Sequence, residues 1–345
     1  MPKQITVAVL TAETGAHLGA YFPALKASPE AGRVVLGDPS GQSAVAAKQG
    51  LGEKLARVYR SHDELLKTER PAMALVSLEA VSAPAVIDKA LEAGCHVFAE
   101  KPACVRPEDF ARLVKKADSK HRHLMLALAN RTNPETRAAR ELIRKGQIGK
   151  IYSLEMHIIA DQTRLTRPAY HKRWYAKKAL AGGGHLAWLG IHWLDLGMYL
   201  TGGRATHVTG FAGNVGGQPL DVEDSATVAL KFDNGTMGTL NSGYYLDKGY
   251  HTHIKIWGSQ GWVHIDSQGD KPLTWQSWKA GAPAGIQVYD GPKAPRGYTP
   301  FVQAAVRASA GLAEPPVSSA DSLHVLQTVF GLYRAAETGR TQSIG

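Results

Sequence analysis

Short apolar runs alternate with helix-like stretches over about the first 125 residues. The runs are bounded by turn-forming residues, as β-strands are, and the stretches between them have the spacing of amphipathic helices. Ser61 followed by Glu64 has the spacing of a capping box and predicts the start of one such helix. Strands that alternate with helices of this length predict βαβ units, so we expect an α/β fold with a doubly wound parallel sheet. The expected strands are Ile5–Leu10, Arg33–Leu36, Arg57–Tyr59, Ala72–Leu78, His96–Ala99 and Leu124–Leu128.

The pattern changes after a predicted helix over Pro134–Lys145. Strand-like segments then follow one another with few helices, and Asn234-Gly235 between two of them is a strong signal of a hairpin. This half of the chain predicts an α+β domain with a large, mainly antiparallel sheet. The segment Asp270–Pro300 is rich in glycine and proline and is expected to be loop, whereas Ser319–Thr338 is expected to form a terminal helix.

The length and composition fit a folded chain of two domains. At 345 residues the chain is too long for one ordinary core, and we expect domains over residues 1–128 and 129–345. No apolar stretch reaches the roughly 18 residues of a membrane span, so no membrane partner is expected. Two cysteines, Cys95 and Cys104, are too few for a disulfide framework, which favours a cytoplasmic location.

The net charge of +10 arises in one stretch, because residues 101–178 hold 19 Lys and Arg against 7 Asp and Glu. Modules that bind nucleic acid carry such an excess as a compact basic run or a known motif, and neither is present, so no nucleic-acid partner is expected. Two interpretations remain. The charges lie on solvated helix faces, as at Arg112, Lys115 and Lys116, or they create a positive field around a cleft that receives an anionic cofactor or substrate.

Two polar motifs stand where a fold of this kind presents side chains to a cleft. Glu100-Lys101-Pro102 directly follows the apolar strand His96–Ala99. Further on, Gly182-Gly183-Gly184 precedes a segment that contains His192 and, three residues later, Asp195. Together these motifs resemble the Gfo/Idh/MocA family, whose members are sugar and inositol dehydrogenases that work with a nicotinamide cofactor. The resemblance covers essentially the whole chain. It implies a Rossmann-like dinucleotide-binding domain followed by a substrate and oligomerisation domain.

The cofactor half of the resemblance concerns the ends of the strands in the first domain. The turn after the first strand normally reads G-x-G-x-x-G, but here Gly15 and Gly19 alone remain and the turn contains a carboxylate, Glu13. Asp38 closes the second strand about 20 residues on, where an acidic residue accepts hydrogen bonds from the ribose and disfavours NADP. An Asp-Pro pair is also a common opener of turns. The expected cofactor is NAD rather than NADP, and its expected contacts are Thr11, Gly15, Asp38, Leu78, Glu79, Glu100 and Lys101.

The chemical half of the resemblance concerns proton transfer. Oxidation of a hydroxyl-bearing carbon needs a base that removes the hydroxyl proton. By resemblance Lys101 takes this role, and His192, a residue type that titrates near neutral pH, exchanges the proton. The family often has an aspartate four residues before that histidine, whereas this chain has Trp188, an aromatic ring suited to stacking on a sugar. The alternative for His192 is an ordinary buried core histidine.

Further residues are expected on the substrate side. The segment around Tyr170 and Arg173 resembles the substrate loop of the family, although core or rim packing is the alternative for its aromatic residues. Asp195 is expected either to orient His192 or to support packing. The expected substrate-binding residues are Asn130, Arg131, Tyr170, Arg173, Trp188 and Asp195.

Histidines also recur on the predicted strands of the second half. His251 and His253 alternate along one strand and therefore share a face, and His157 lies on another strand. No carboxylate completes a familiar metal-binding spacing with them, so no metal site is predicted.

The sequence therefore predicts a nicotinamide-dependent oxidoreductase that transfers a hydride to or from a sugar, a sugar derivative or a cyclitol. The altered glycine turn and Trp188 leave two alternatives open. One is an NAD-using enzyme that cleaves glycosides or epimerises sugars without net redox change. The other is a catalytically weakened protein that binds a sugar or the cofactor. The resemblance also implies a homodimer or a homotetramer.

Overall fold

The computed structural model describes residues 3–13, 15–163, 165–246 and 248–345. The chain divides into two compact units. The first comprises Met1–Ala129, Ala179–Gly182 and Arg296–Leu323, and the second comprises Asn130–Lys178, Gly183–Pro295 and His324–Gly345. After leaving the first unit, the chain thus returns to it twice. The expected domain boundary at residue 128 stays a prediction.

A parallel sheet forms the core of the first unit. Its strands are β1 (Ile5–Thr11), β2 (Ala31–Gly37), β3 (Leu55–Tyr59), β4 (Met73–Ser77), β5 (His96–Ala99) and β6 (Leu124–Leu126). Among the described residues these six strands pair in the order β3-β2-β1-β4-β5-β6, and each pair is parallel. Apolar residues on both faces of the central strands are buried, as in other parallel sheets. The predicted doubly wound α/β fold is confirmed.

Helices connect these strands. They are α1 (Leu18–Lys26), α2 (Ala44–Leu51), α3 (His62–Glu69), α4 (Ala83–Glu92) and α5 (Pro107–Ser119). The predicted capping residue of α3 is confirmed, because the Ser61 hydroxyl oxygen accepts a hydrogen bond from the backbone N–H of Glu64 at 3.3 Å.

The second unit is built on a larger sheet. Its strands are β7 (Ile151–Asp161), β8 (Ala205–Gly213), β9 (Ser225–Phe232), β10 (Met237–Leu246), β11 (Tyr250–Gly258), β12 (Gly261–Ile265), β13 (Leu273–Ser277), β14 (Gln287–Val288) and β15 (Gln342–Ser343). Across the described ranges these nine strands pair in the order β14-β13-β12-β11-β7-β10-β9-β8-β15. The β7–β10 pair is parallel and the other pairs are antiparallel, which confirms the predicted mainly antiparallel sheet. Asn234-Gly235 forms the predicted hairpin between β9 and β10, with Gly235 at φ 84°.

The remaining helices are α6 (Pro134–Arg144), α7 (Pro168–His171), α8 (Lys178–Ala181), α9 (Ile191–Thr201), α10 (Tyr298–Ser309) and α11 (Ser319–Thr338). The terminal helix α11 has the predicted bounds. The segment Asp270–Pro300, which was expected to be loop, contains β13, β14 and the start of α10. The helix α10 was not predicted. Pro300 is compatible with this helix because it lies in the first turn, where a backbone N–H has no intrahelical acceptor. No helix in the described part of the chain has the length and apolar character that crossing a bilayer requires.

The two faces of the larger sheet differ in character. On β7, Leu154, Met156 and Ile158 are buried. Gly197 of α9 packs on this face so closely that a Cβ there would lie 2.8 Å from the Met156 sulfur. The residues between them along β7, including Glu155 and His157, point to the opposite face. That face is exposed to solvent and is called the open face below.

Candidate active site

The carboxyl edge of the parallel sheet gathers the residues predicted to bind a cofactor. Thr11 ends β1, and Asp38, Leu78 and Glu100 each follow directly on β2, β4 and β5. The chain builds the sheet outward from β1 in one direction and from β4 in the other, so the strand order reverses between these two strands. The Thr11 hydroxyl bridges them by donating a hydrogen bond to the Ser77 carbonyl at 2.9 Å. Open α/β sheets bind their ligands in the crevice at such a reversal.

The altered glycine turn after β1 keeps one close backbone approach. A Cβ on Gly15 would lie 2.0 Å from the Thr11 hydroxyl oxygen and 3.0 Å from the Ser77 carbonyl, so only glycine fits. Glu13 is exposed, and Thr14 lies outside the described residues. Among the described residues no side chain caps the start of α1. Its first backbone N–H groups therefore form an end of the kind that binds phosphate in dinucleotide-binding folds.

Asp38 is buried within its own turn. One carboxylate oxygen accepts hydrogen bonds from the backbone N–H and the hydroxyl of Ser40, at 3.0 and 2.6 Å. The other accepts from the backbone N–H of Ser43 at 2.8 Å. Burial alone would raise the pKa of Asp38, but these hydrogen bonds outweigh it and lower the pKa, so the carboxylate is ionised. The structure thus shows the turn-forming role of Asp38, and its contact with a ribose stays a prediction.

Leu78 and Glu79 form the loop between β4 and α4. Leu78 is buried, whereas Glu79 is partly exposed. The Glu79 carbonyl accepts hydrogen bonds from the N–H groups of Ser82 and Ala83, at 3.0 and 2.9 Å. These bonds fix the loop at the sheet edge, and a cofactor contact of either residue stays a prediction.

Glu100 carries a buried carboxylate with unequal surroundings for its two oxygens. Oε2 lies 3.0 Å from His17 Nδ1 and accepts a hydrogen bond from the Tyr21 hydroxyl. Oε1 is buried and has no hydrogen-bond partner among the described residues, and Lys101 Nζ lies 3.8 Å from it. Burial alone would raise the pKa of Glu100, but His17, Lys101 and Tyr21 lower it below its usual value. The ionised Oε1 is therefore an acceptor suited to a ligand's donor group.

Lys101 is buried at the end of β5, with 1% of its surface exposed. Lysine is almost never fully buried unless it is paired, because removing an ammonium group from water costs free energy. The Lys101–Pro102 peptide bond is cis, a feature that the sequence alone cannot show. Lys101 is therefore not an ordinary surface residue.

Two residues near Glu100 were missed by the sequence reasoning. His17 has a left-handed backbone, with φ 57°, and directs its ring toward Glu100. The ring of Tyr298, on α10, lies 4.9 Å from the His17 ring, and its hydroxyl is 3.5 Å from His17 Nδ1. The helix that carries Tyr298 was itself not predicted, so no local signal pointed to this contact.

Arg131 and Asp195, both predicted to bind substrate, bind each other within the second unit. The Arg131 guanidinium donates three hydrogen bonds of 2.6 to 3.0 Å to the two Asp195 oxygens. Both side chains are buried, and the Arg131 guanidinium also packs over the Tyr199 ring at 5.0 Å. The pair fastens the turn that follows β6 to α9. The Asp195 carboxylate therefore stabilises the buried Arg131 guanidinium.

His192 lies in the first turn of α9 and is 7% exposed. A π-helical turn over Leu186–Gly190 precedes it, and such turns occur frequently at functional sites. The glycines before this turn permit close contacts. A Cβ at Gly183 would lie 2.1 Å from the Tyr333 hydroxyl oxygen, and a Cβ at Gly184 would lie 1.9 Å from the Glu223 carbonyl oxygen.

Glu223, which the sequence reasoning missed, holds the start of the π-helical turn. One carboxyl oxygen accepts a hydrogen bond from the Gly184 N–H at 2.6 Å. The other accepts from the Leu186 N–H at 2.9 Å and from the Tyr333 hydroxyl at 2.8 Å. Burial raises the pKa of Glu223 in spite of these bonds. The residue precedes β9 and is far in sequence from the glycines, so no spacing predicts the contact.

The aromatic residues predicted to lie on the substrate side form a cluster. The Trp188 ring lies 5.5 Å from Trp174 and 5.3 Å from Tyr175, and Tyr170 lies 4.9 Å from Tyr175. Trp174 is buried, whereas Tyr170, Tyr175 and Trp188 are partly exposed. Arg173 is exposed and Asn130 is partly exposed. The cluster therefore combines a packed ring, Trp174, with rings that are still accessible to solvent.

The histidines of the larger sheet have a carboxylate neighbour after all. Glu155, His157 and His253 bring three ligand-type atoms within 4.8 Å of one another on the open face, whereas His251 is not part of this group. Glu155 belongs to the strand of His157 and meets His253 only through sheet pairing, so its position in the sequence does not indicate this group.

A doubly wound parallel sheet whose strand order reverses between β1 and β4 has the topology of the nucleotide-binding α/β folds. Residues 14–128 match the profile described as "Oxidoreductase family, NAD-binding Rossmann fold", and residues 136–264 match the "GFO/IDH/MocA C-terminal domain". The chain belongs to the Gfo/Idh/MocA family of oxidoreductases.

Curated relatives include several named sugar and cyclitol dehydrogenases. The chain is 30% identical to D-glucoside 3-dehydrogenase of Escherichia coli (strain K12) over 174 residues, 46% of this chain and 48% of that protein. It is 25% identical to levoglucosan dehydrogenase of Pseudarthrobacter phenanthrenivorans over 232 residues, 60% and 59% of the two chains. It is 26% identical to myo-inositol 2-dehydrogenase of Thermotoga maritima over 226 residues, 64% and 63%. The chain spans about half to two thirds of the length of these curated relatives.

Solved structures share the fold over the whole chain. An oxidoreductase domain protein from Kribbella flavida has a TM-score of 0.87 at 22% identity, covering 99% of this chain and 100% of that one. A levoglucosan dehydrogenase in complex with NADH and levoglucosan has a TM-score of 0.85 at 19% identity, covering 99% of each chain. Identities this low establish the fold alone.

Proposed function

We propose that this protein is a nicotinamide-dependent oxidoreductase that transfers a hydride to or from a hydroxyl-bearing carbon of a sugar, a sugar derivative or a cyclitol. The observation that carries the proposal is the burial of Lys101, 1% exposed, beside the ionised Glu100 at the carboxyl edge of the parallel sheet. The named activities of the relatives support a carbohydrate or cyclitol as the substrate.

NAD fits the residues at this sheet edge. The close approach at Gly15 and the uncapped start of α1 suit a pyrophosphate, and the buried Glu100 Oε1 offers an acceptor to a hydroxyl. Asp38 follows directly on β2 at the same edge, and its carboxylate is ionised. Its charge disfavours a 2′-phosphate, so we propose NAD rather than NADP. When bound, the cofactor supplies the hydride acceptor or, reduced, the hydride donor.

Lys101 is proposed as the group that takes the hydroxyl proton during oxidation and returns it during reduction. Its burial excludes bulk water from the amine, which lies 3.8 Å from Glu100 Oε1. His192, buried in the first turn of α9, is proposed as a second residue that exchanges protons with the substrate.

The substrate side is proposed to combine stacking with hydrogen bonds. Trp188 offers an aromatic face to a sugar ring, while Asn130, Tyr170 and Arg173 offer hydrogen-bond donors. Arg131 and Asp195 are proposed to act as a pair that shapes this side. A homodimer or homotetramer and a cytoplasmic location stay predictions.

The test is a screen of sugars and cyclitols with NAD, followed through the absorbance of the reduced nicotinamide. Wild type is compared with Lys101→Ala and with Lys115→Ala, a matched control at an exposed position on α5 of the same unit. A positioned acid–base group contributes about 10²- to 10⁴-fold, so Lys101→Ala is expected to lose that much turnover. Its NAD affinity should stay within about tenfold of wild type.

The control separates chemistry from folding. Lys115→Ala is expected to turn over at the wild-type rate. Wild-type turnover in Lys101→Ala would contradict the assigned role. Tight NAD binding by the wild type without turnover of any substrate would favour the weakened binding protein over the enzyme.

A further inference from the structure

Two imidazoles and one carboxylate meet on the open face of the larger sheet, on residues to which the proposed reaction assigns no role. His157 on β7 and His253 on β11 are directly opposite in the antiparallel register. Glu155 lies two residues before His157 and therefore projects from the same face. Directly opposite residues of an antiparallel pair have Cβ atoms about 4.5–5.5 Å apart, so the backbone itself brings the two rings together.

The distances suit a small metal ion. Glu155 Oε1 lies 3.1 Å from His253 Nε2 and 3.6 Å from His157 Nδ1. A tetrahedral ion with bonds of about 2.0–2.1 Å separates its ligand atoms by roughly 3.3–3.4 Å, which falls between these two values. The three ligand atoms all lie within 4.8 Å of one another, so a small rotation of the His157 and His253 rings closes the set.

The nearby lysine, Lys255, does not form an ion pair with the Glu155 carboxylate. Lys255 is paired with Glu155 across β11 and β7, where an ion pair would be the ordinary arrangement. Its ammonium instead lies over the rings of Trp257 and Trp262, at 5.5 and 5.3 Å from their centroids. Within the described residues no ion pair joins Lys255 to Glu155. The lysine therefore does not fill the place between the carboxylate and the two rings.

We propose that Glu155, His157 and His253 form a binding site for a divalent transition-metal ion of the zinc class, with a fourth position left to water. Two imidazole nitrogens and one carboxylate oxygen are a common ligand set for Zn²⁺ with an open position. Mg²⁺ and Ca²⁺ prefer oxygen ligands alone, so they fit this set poorly. The side chains are 43%, 29% and 32% exposed in that order, so an ion reaches them from solvent.

The bound ion would join β7 to β11 on the open face. The site is distinct from the residues assigned to the hydride-transfer reaction, so its occupancy and the proposed enzymatic activity are measured separately.

The experiment titrates ZnCl₂ into the full-length, chelator-treated protein, from which any histidine tag has been removed, by isothermal calorimetry. We expect one Zn²⁺ per chain and no binding of Mg²⁺ under the same conditions. His253→Asn and Glu155→Gln should each weaken Zn²⁺ binding by at least about tenfold, since each removes one of three protein ligands. His251→Asn is the matched control, because His251 is exposed on the same strand and face but lies outside the group, and it should bind as wild type does.

A spectroscopic readout separates coordination from a change in folding. Co²⁺ replaces Zn²⁺ in such sites, and its visible absorption is much stronger in four-coordinate than in six-coordinate geometry. We expect the strong bands in wild type and in His251→Asn, and their loss in His253→Asn. Equal Zn²⁺ affinity in wild type and His253→Asn, or a clearly different stoichiometry from one ion per chain, would overturn the proposal. Absence of Zn²⁺ binding to folded wild type would overturn it as well.

Discussion

One buried carboxyl group in each unit, Glu100 in the first and Glu223 in the second, shows two opposite kinds of surroundings. In the first unit Glu100 lies beside His17 and Lys101, which lower its pKa, and its Oε1 has no hydrogen-bond partner among the described residues. In the second unit Glu223 is held by two backbone N–H groups and the Tyr333 hydroxyl, and burial raises its pKa. One carboxylate stays charged with an acceptor unused, whereas the other is saturated by neutral donors.

This difference distinguishes carboxyl groups that stabilise the fold from a carboxyl group that is available to a ligand. A carboxyl group whose oxygens are all used by its own chain fixes the backbone around it, as Glu223 does for the glycines before α9. The bidentate pair of Arg131 and Asp195 is saturated in the same sense. A charged carboxylate with unused acceptor capacity is ready to bind a ligand instead, and Glu100 with Lys101 has this property. We therefore expect substitutions in the first set to change stability and substitutions in the second to change activity.

The largest effect on stability is expected from Asp195→Ala. Removing one member of a buried ion pair leaves the other charge uncompensated and costs about 3–5 kcal/mol. The free energy of unfolding in urea should fall by that amount. The double variant Arg131→Met, Asp195→Leu removes both charges and should recover much of the loss. A loss well under 1 kcal/mol in Asp195→Ala would show that the pair is not the saturated structural contact described here.

A smaller effect, with a defined pH dependence, is expected at Glu223. Glu223→Ala leaves buried N–H donors without an acceptor and should cost about 1–3 kcal/mol at pH 5. Because burial holds the pKa of Glu223 in the folded protein above its usual value, the stabilisation from this carboxyl is complete below the usual pKa and is lost as pH rises through the folded pKa. The difference in unfolding free energy between wild type and Glu223→Gln should therefore fall with rising pH. A difference that grows with pH would mean that Glu223 resembles Glu100.

The smallest effect is expected at Asp38, where a turn and a proposed ligand contact share one carboxylate. Asp38→Asn keeps most of the shape of the turn and removes the charge. It should shift the ratio of NADP to NAD affinity toward NADP by about tenfold, or about 1.4 kcal/mol. Ser40→Ala is the control, since it removes the two hydrogen bonds of the Ser40 hydroxyl, to Asp38 and from the Gln42 N–H, and leaves the charge in place. An equal effect of Asp38→Asn on both cofactors would show that the residue forms the turn alone.

Much of the fold follows from local sequence patterns. The βαβ alternation, the Ser61 cap and the Asn234-Gly235 hairpin are read from neighbouring residues, and all three are present. The helix α10 was missed because its first turn belongs to the glycine- and proline-rich segment that was expected to be loop, although proline is tolerated in a first helical turn. Local patterns thus predict elements well, except where one residue type serves two kinds of structure.

The candidate site is less predictable because its contacts join distant segments. Lys101 is recognisable from its neighbours in the Glu100-Lys101-Pro102 motif. Tyr298 reaches His17 across more than half of the chain, and Glu155 meets His253 through strand pairing alone. Contacts between residues so far apart in the sequence cannot be predicted from local spacing. The neighbours of Glu100 are therefore known only from the folded structure.

The most direct test of the central claim is a calorimetric titration of the purified, cofactor-stripped protein with NAD and then with NADP. The arrangement of Gly15, the uncapped start of α1 and the charged Glu100 predicts micromolar binding of NAD and weaker binding of NADP. A folded sample that binds neither cofactor would contradict the account, because the first unit would then hold a charged carboxylate with no ligand to receive.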